Sequence, residues 1–223
     1  MRLHEIYNDK KTEYYIHSRP ELLSFVPSSV KTALDIGCGS GHFGQALKIK
    51  YNCEVWGIEP NANAANEAGE ILDNVINNTF SDDLPELEGK KFDVIFFNDV
   101  LEHLIDPAKT LSDCNKLLNY NGHIIASIPN IRWYPVILSL LRYKDFKYEL
   151  AGVMDKTHLR FFTLKSMCRL FEEAGYKVII SEGINKDSNF YYFNLLNFLL
   201  FNTQWDMKYR QFVIVAINSS NAC

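Results

Sequence analysis

The sequence predicts an α/β fold, a seven-stranded and mostly parallel sheet with helices on both faces, and three observations predict it. Apolar, β-rich runs alternate with helical patterns over most of the length. No repeat or low-complexity linker interrupts that alternation. A turn carrying four glycines, Gly37, Gly39, Gly41 and Gly44, joins the first apolar run to the first helical pattern, as in Rossmann-like sheets that take a ligand at the strand ends.

Taken in order, residues 1–31 read as an N-terminal helical cap. The strands that follow are "TALDIG" (32–37), "EVWGIE" (54–59), "NVINN" (74–78), "FDVIFFN" (92–98), "GHIIASIP" (122–129), "YKVIISEG" (176–183) and "QFVIVAIN" (211–218). Helices are expected near 40–50, 61–72, 99–118 and 164–174, the last N-capped by Thr163 and stopped by Gly175. Residues 130–162 occupy a gap that a few residues would bridge, so they read as an inserted lid. Residues 186–208 form an aromatic insertion before the last strand, and the whole chain, 1–223, is expected to be one domain.

Composition narrows the function classes. A chain of 223 residues with 47% hydrophobic and 22% charged residues buries a substantial core and is not of the disordered class. Its formal net charge of −4 argues against the broad basic surface that nucleic-acid binding uses. Five cysteines without a C-x-x-C pair fit reduced thiols and a cytoplasmic protein better than disulfides or structural zinc. The N-terminal "MRLHEIYNDKKTEYYIHSRPELL" has no signal-peptide core. The aromatic "NFYYFNLLNFLLFNTQW" (189–205), interrupted by Asn194, Asn197 and Asn202, falls short of the ~20 apolar residues of a spanning helix.

Gly39, Gly41 and Gly44 satisfy G-x-G-x-x-G, and Glu59 follows about 20 residues on, as in dinucleotide sites. Asp35 separates the ligands. Placed at the end of the first strand, its carboxylate would repel a pyrophosphate and attract an ammonium or sulfonium, with roughly 4 kcal/mol at ~4 Å and an effective dielectric of 20. A ligand carrying both cations is S-adenosylmethionine.

The segments "LDIGCGSGHFG", "VWGIEPN", "FDVIFFNDVLEHLIDP" and "LLNYNGHIIASIPN" resemble, in order and spacing, the successive motifs of class I S-adenosylmethionine-dependent methyltransferases. The resemblance covers Ala33 to Asn130. It implies that Gly37, Gly39 and Gly41 pack on the methionine part of the cofactor, with Asp35 near its amino group and Asn98 lining that end. It further implies that Glu59, next to Pro60, binds both ribose hydroxyls, and that Asp82 in "NTFSDDLPEL" is a candidate for the adenine. "SRPELLSFVP", "DVLEHLIDP" and "DKTHLRFFTLKSMCRLFEEAGY" are similar to a bacterial subgroup associated with polysaccharide and cell-envelope biosynthesis.

Methyl transfer to a hydroxyl needs alignment and a base, and the candidates are His158, His103 and Glu102. Asp99, Glu102 and His103 are spaced i, i+3 and i+4, so one helical face would carry all three. With His158 from the lid they would form a cluster suited to a divalent metal. That set is similar to the E-x-x-E-H and distant His of metal-dependent small-RNA 2′-O-methyltransferases, and ubiquinone-pathway O-methyltransferases have a comparable segment. Alternatively, Asp99 and Glu102 form a capping box and His103 simply packs.

The lid interleaves Trp133, Tyr134, Tyr143, Phe146 and Tyr148 with Arg132, Arg142, Lys144 and Lys147, which suits a sugar, a nucleotide sugar or an anionic amphiphile. Three readings follow: O-methylation of a small-molecule or saccharide-linked acceptor; metal-assisted O-methylation of an RNA or quinone-type substrate; and a non-catalytic cofactor-binding module that docks on a partner through 189–205.

Overall fold

The computed structural model describes residues 19–186, 191–199 and 201–219. Residues 1–18, most of the expected N-terminal cap, lie outside the described residues, as do 187–190 and Leu200 of the aromatic insertion. The described part of the cap is a 3₁₀ turn over Pro20–Phe25 that buries Leu22.

Seven strands form one sheet: β1 (Thr32–Ile36), β2 (Glu54–Ile58), β3 (Asn74–Ile76), β4 (Phe92–Asn98), β5 (Leu118–Pro129), β6 (Tyr176–Lys186) and β7 (Tyr209–Asn218). Their order is β3-β2-β1-β4-β5-β7-β6. The first five pair in parallel, while β7 runs antiparallel to both β5 and β6. Strands β1 and β4 read as almost unbroken apolar runs because helices cover both faces.

Alternation along each strand sends side chains to two separate cores. Leu34, Ile58, Ile95 and Phe97 face one side, joined by Leu111 of α3 (Pro107–Cys114) and Met167 and Phe171 of α5 (Leu164–Glu173). Ala33, Val55, Val94 and Phe96 face the other, joined by Phe43 and Leu47 of α1 (His42–Tyr51) and Ala68 of α2 (Ala62–Gly69). Thr163 caps α5 as expected: its Oγ1 accepts the Ser166 N–H at 3.3 Å, and the Ser166 Oγ accepts the Thr163 N–H at 2.9 Å.

The expected helix over 99–118 is instead three pieces: a 3₁₀ turn at Leu101–His103, α3, and a second 3₁₀ turn at Asn115–Leu117. Pro107 is the cause. A proline bars the preceding residue from helical geometry, so Asp106 becomes an N-cap, its Oδ1 accepting the Lys109 N–H at 2.9 Å.

The insertion 130–162, expected as a lid, holds one helix, α4 (Tyr134–Tyr143), followed by irregular chain. The aromatic insertion holds α6 (Tyr191–Leu199) and a 3₁₀ turn at Trp205–Lys208. Tyr134, Phe193 and Met207 form a small third core that ties these two insertions together. Among the described residues no helix is long and apolar enough to cross a membrane.

Candidate active site

The carboxyl ends of β1, β2 and β4 open into a cavity of about 920 Å³. Its floor is Asp35 to Gly39, Glu59 to Asn61 and Asn98 to Val100; its walls are Glu102 to Leu104, the lid residues Ala151 to Val153, Asp155 and His158, and Arg19, Arg210 and Gln211. A parallel sheet places its ligand where successive connections diverge, here between β1 and β4.

The glycine turn is built for close approach. Gly37 and Gly41 have φ of +75° and +82°, left-handed values that side chains resist. A Cβ on Gly37 would sit 2.6 Å from the Val100 Cγ2, and one on Gly41 3.1 Å from the Ala68 Cα. Gly41, expected at the cofactor, does not line the cavity: like Gly44, whose Cβ would meet the Leu72 Cδ2 at 2.5 Å, it lets α1 pack closely against Ala68 and Leu72.

Glu59 is pinned across this turn. One carboxylate oxygen accepts the Gly39 N–H at 2.9 Å and the other the Asn61 N–H at 2.8 Å. Asp35 is 1% exposed. Burial and the neighbouring negative charge of Glu59 push its carboxyl up to about 8. The Asn98 Nδ2 donates to the Asp35 Oδ1 at 3.4 Å, while the Asn98 Oδ1 is buried and receives no donor among the described residues. A buried acid and a buried, unsatisfied amide oxygen therefore face the cavity beside the glycine turn.

Two further expected site residues are placed elsewhere. Asp82 does not line the cavity; it pairs with the Lys116 ammonium, and the loop after β3 offers Asn78, Thr79 and Phe80 instead. The reason is that β3 is only three residues long, so 77–80 already form the rim and Asp82 lies beyond it. Asp99 lines the cavity but does not join the helical face expected of it. Its φ is +56°, and its carboxylate pairs with Arg19 and accepts the Gln211 Nε2–H at 2.5 Å and the Ser127 hydroxyl at 3.4 Å. The capping box expected of Asp99 and Glu102 does not form either: the 3₁₀ turn starts at Val100 with no side-chain cap.

Glu102, His103 and His158 do come together, with ligand-type atoms all within 4.8 Å of one another. The lid motif brings this about. Asp155 accepts the Thr157 N–H and hydroxyl at 2.8 and 2.7 Å, folding a tight turn, and the Leu159 and Arg160 N–H groups dock on the Glu102 carbonyl at 2.8 and 3.0 Å. The turn presents the Thr157 carbonyl to the His103 Nδ1 at 3.1 Å, and the Val153 carbonyl meets the His158 Nδ1 at 3.1 Å.

A carbonyl oxygen only accepts, so each Nδ1 carries the hydrogen and each neutral ring keeps its lone pair on Nε2. The His158 Nε2 lies 3.9 Å from the Glu102 Oε1, and the two rings meet edge to face at 4.8 Å. Glu102 is 1% exposed, so its carboxylate belongs to this cluster and not to the surface.

Sequence reasoning did not find Arg19, Arg210 or Gln211. Gln211 and Arg210 come from β7, whose place beside β5 depends on a long-range antiparallel pairing that sets Gln211 against Pro129. Arg19 stands in the "SRPELL" segment, where a cation just ahead of the 3₁₀ turn was the available signal.

Residues 7–181 match the family model of a methyltransferase domain. Two relatives called ubiquinone biosynthesis O-methyltransferase are similar: that of Photobacterium profundum is 32% identical over 107 residues, 45% of this chain and 44% of the relative. That of Neisseria meningitidis is 27% identical over 163 residues, 69% of this chain and 67% of the relative. The chain thus spans less than half of the first relative and about two thirds of the second.

A SAM-dependent methyltransferase from Archaeoglobus fulgidus superposes with a TM-score of 0.66 at 19% identity, covering 96% of this chain and 97% of that one. The plantazolicin methyltransferase BpumL, solved in complex with SAH, superposes at 0.60 and 15% identity over 97% and 93%. The solved structures establish the fold, and the family model, spanning well over half of the sequence, establishes that the chain belongs to the methyltransferase domain family.

Proposed function

We propose that this chain transfers the methyl group of S-adenosylmethionine to an oxygen of a small-molecule or saccharide-linked acceptor. The observation that carries the reading is the buried Asp35 carboxyl and the unsatisfied Asn98 Oδ1 beside a glycine turn whose left-handed backbone resists side chains. A ligand with an ammonium group and a flat, narrow body fits that donor deficit, and a pyrophosphate does not.

Asp35 and Asn98 hold the ammonium end, Gly37 and Gly39 let the backbone come close, and Glu59 with Pro60 binds the ribose hydroxyls. Each Glu59 oxygen spends one lone pair on a backbone N–H and keeps another for a hydroxyl. When bound, S-adenosylmethionine supplies a methyl group on a positively charged sulfur, so the acceptor oxygen needs alignment and loss of its proton. His158 is the base: its Nε2 holds the lone pair, and the Glu102 carboxylate stabilises the imidazolium that proton uptake creates. Arg210, its guanidinium 4.6 Å from the centre of the Trp133 ring, adds a cation and an aromatic face at the cavity wall for a polar acceptor.

The relatives' names support oxygen as the methylated atom, and the "DKTHLRFFT" motif supports a saccharide-linked acceptor. Calorimetric titration with S-adenosylhomocysteine tests the cofactor half. The expected result is micromolar binding that Glu59→Ala weakens by roughly tenfold or more, since two hydrogen bonds to a charged group are lost. An unchanged affinity in Glu59→Ala, or no binding by the wild type, overturns the reading.

A second reading is favoured by one observation. Both histidines commit Nδ1 to backbone carbonyls, the arrangement that orients a metal ligand, and Glu102 completes a donor set of two nitrogens and a carboxylate. Under this reading Glu102, His103 and His158 hold a divalent cation that polarises the acceptor hydroxyl, and Asp99 is not a ligand. Titration with Mn²⁺ is then expected to give one site per chain, lost in His103→Ala and in His158→Ala. The absence of binding leaves the metal-free base.

A further inference from the structure

We propose that the outer faces of the two insertions, α4 with the chain to Leu150 and α6 with the chain to Trp205, dock the protein on an anionic lipid bilayer. Large apolar side chains are strongly exposed in both stretches: Leu141, Tyr143 and Leu150 in one, Phe198, Leu199 and Phe201 in the other, each 64 to 89% exposed. Burying such groups is the dominant driving force of association, and large apolar side chains exposed in this number mark an interaction surface. The two helices share a base, with the Tyr134 and Phe193 rings 6.0 Å apart above Met207.

Charge identifies the occupant. Residues 130–150 carry four basic side chains against two acidic, while 186–208 carry two of each, in a chain whose net charge is −4. The first insertion thus brings an excess of positive charge to this face of an acidic protein. Self-association through this face would bring like charges together. A bilayer with anionic headgroups receives both features at once: apolar side chains enter the acyl boundary while Arg142, Lys144 and Lys147 stay at the phosphates.

The amphipathic Tyr143, Tyr148 and Trp205, all exposed, suit headgroup depth. With 10 and 9 residues the helices are too short to cross, so they would lie in the interface. Leu150 adjoins Ala151 of the cavity wall, which sets the active site next to the docked surface.

The test is cosedimentation of the full chain with phosphatidylcholine vesicles, with and without phosphatidylglycerol, at low and high salt. Binding is expected to phosphatidylglycerol vesicles and to weaken with salt. Lys144→Gln and Lys147→Gln should each weaken it about fivefold, and Leu141→Glu and Phe198→Glu by about tenfold or more. All four positions are exposed, so melting temperatures should stay at the wild-type value. No binding by the wild type at low salt, or binding that none of these variants changes, overturns the proposal. Concentration-dependent self-association that the same variants abolish would give the face to a second copy and also overturn it. The proposal is independent of cofactor and acceptor.

Discussion

Asp35→Asn is expected to weaken S-adenosylhomocysteine binding by roughly 30- to 1,000-fold, the range seen when one partner of a buried charge pair is removed. It is also expected to make the ligand-free protein more stable at alkaline pH. Asp35 is buried beside Glu59 and titrates near 8 in the fold, against 3.8 for the ordinary group. Between those values the folded chain keeps a proton that the unfolded chain has released, so this group's contribution falls as pH rises from about 4 to about 8 and is level above. The loss is on the order of 5 kcal/mol at its fullest. Urea denaturation at pH 5 and pH 9 reads it: the wild type should lose stability relative to Asp35→Asn between the two.

Binding carries the opposite sign. A ligand ammonium favours ionised Asp35, so wild-type affinity should rise with pH up to about 8, by at most about tenfold per unit, while Asp35→Asn stays flat. The site thus keeps an unfavourable buried acid in the free protein because the bound cation compensates it. Parallel pH profiles for the two proteins, or an unaltered affinity in the variant, would refute the assignment.

His158→Ala is expected to lower the rate of S-adenosylhomocysteine formation by about 10²- to 10⁴-fold with any hydroxyl acceptor the wild type methylates, the usual weight of a positioned base. Cofactor affinity should change little, because His158 lines the wall of the cavity while Asp35 and Glu59 form its floor. Glu102→Gln keeps shape but removes the charge 3.9 Å from the His158 Nε2, so it should lose part of the same rate. The split between an intact binding constant and a collapsed turnover separates a base from a packing residue; a drop in melting temperature that matches the rate loss would show packing alone.

Much of the cavity floor is legible along the chain. Asp35, Gly37, Gly39, Glu59 and Asn98 are each within a few residues of a strand end, and the strands themselves are strong apolar runs. Once the strands are found, parallel pairing carries their carboxyl ends to one edge, and these residues follow. Local signals also set both ends of α5, with Thr163 at its start and Gly175, at φ +90°, just past its end.

The places where the sequence misleads are places where distant partners decide. Asp99 and Glu102 have the spacing of a helix start, yet Arg19 and Gln211, from the two ends of the chain, hold Asp99 in a left-handed conformation that no helix admits. Asp82 carries the right chemistry for a loop contact and is turned outward to Lys116. The pairing of His158 with Glu102 rests on a lid turn whose backbone hydrogen bonds span more than 50 residues.

The alternating α/β order, the glycine turn and the acidic residues around it can be read along the chain, because they depend on periodicity and on neighbours a few residues away. Which acids face the cavity, which histidine meets Glu102, and where β7 inserts become visible only in the folded molecule. Those outcomes depend on contacts between segments far apart in the chain, which local propensity does not encode.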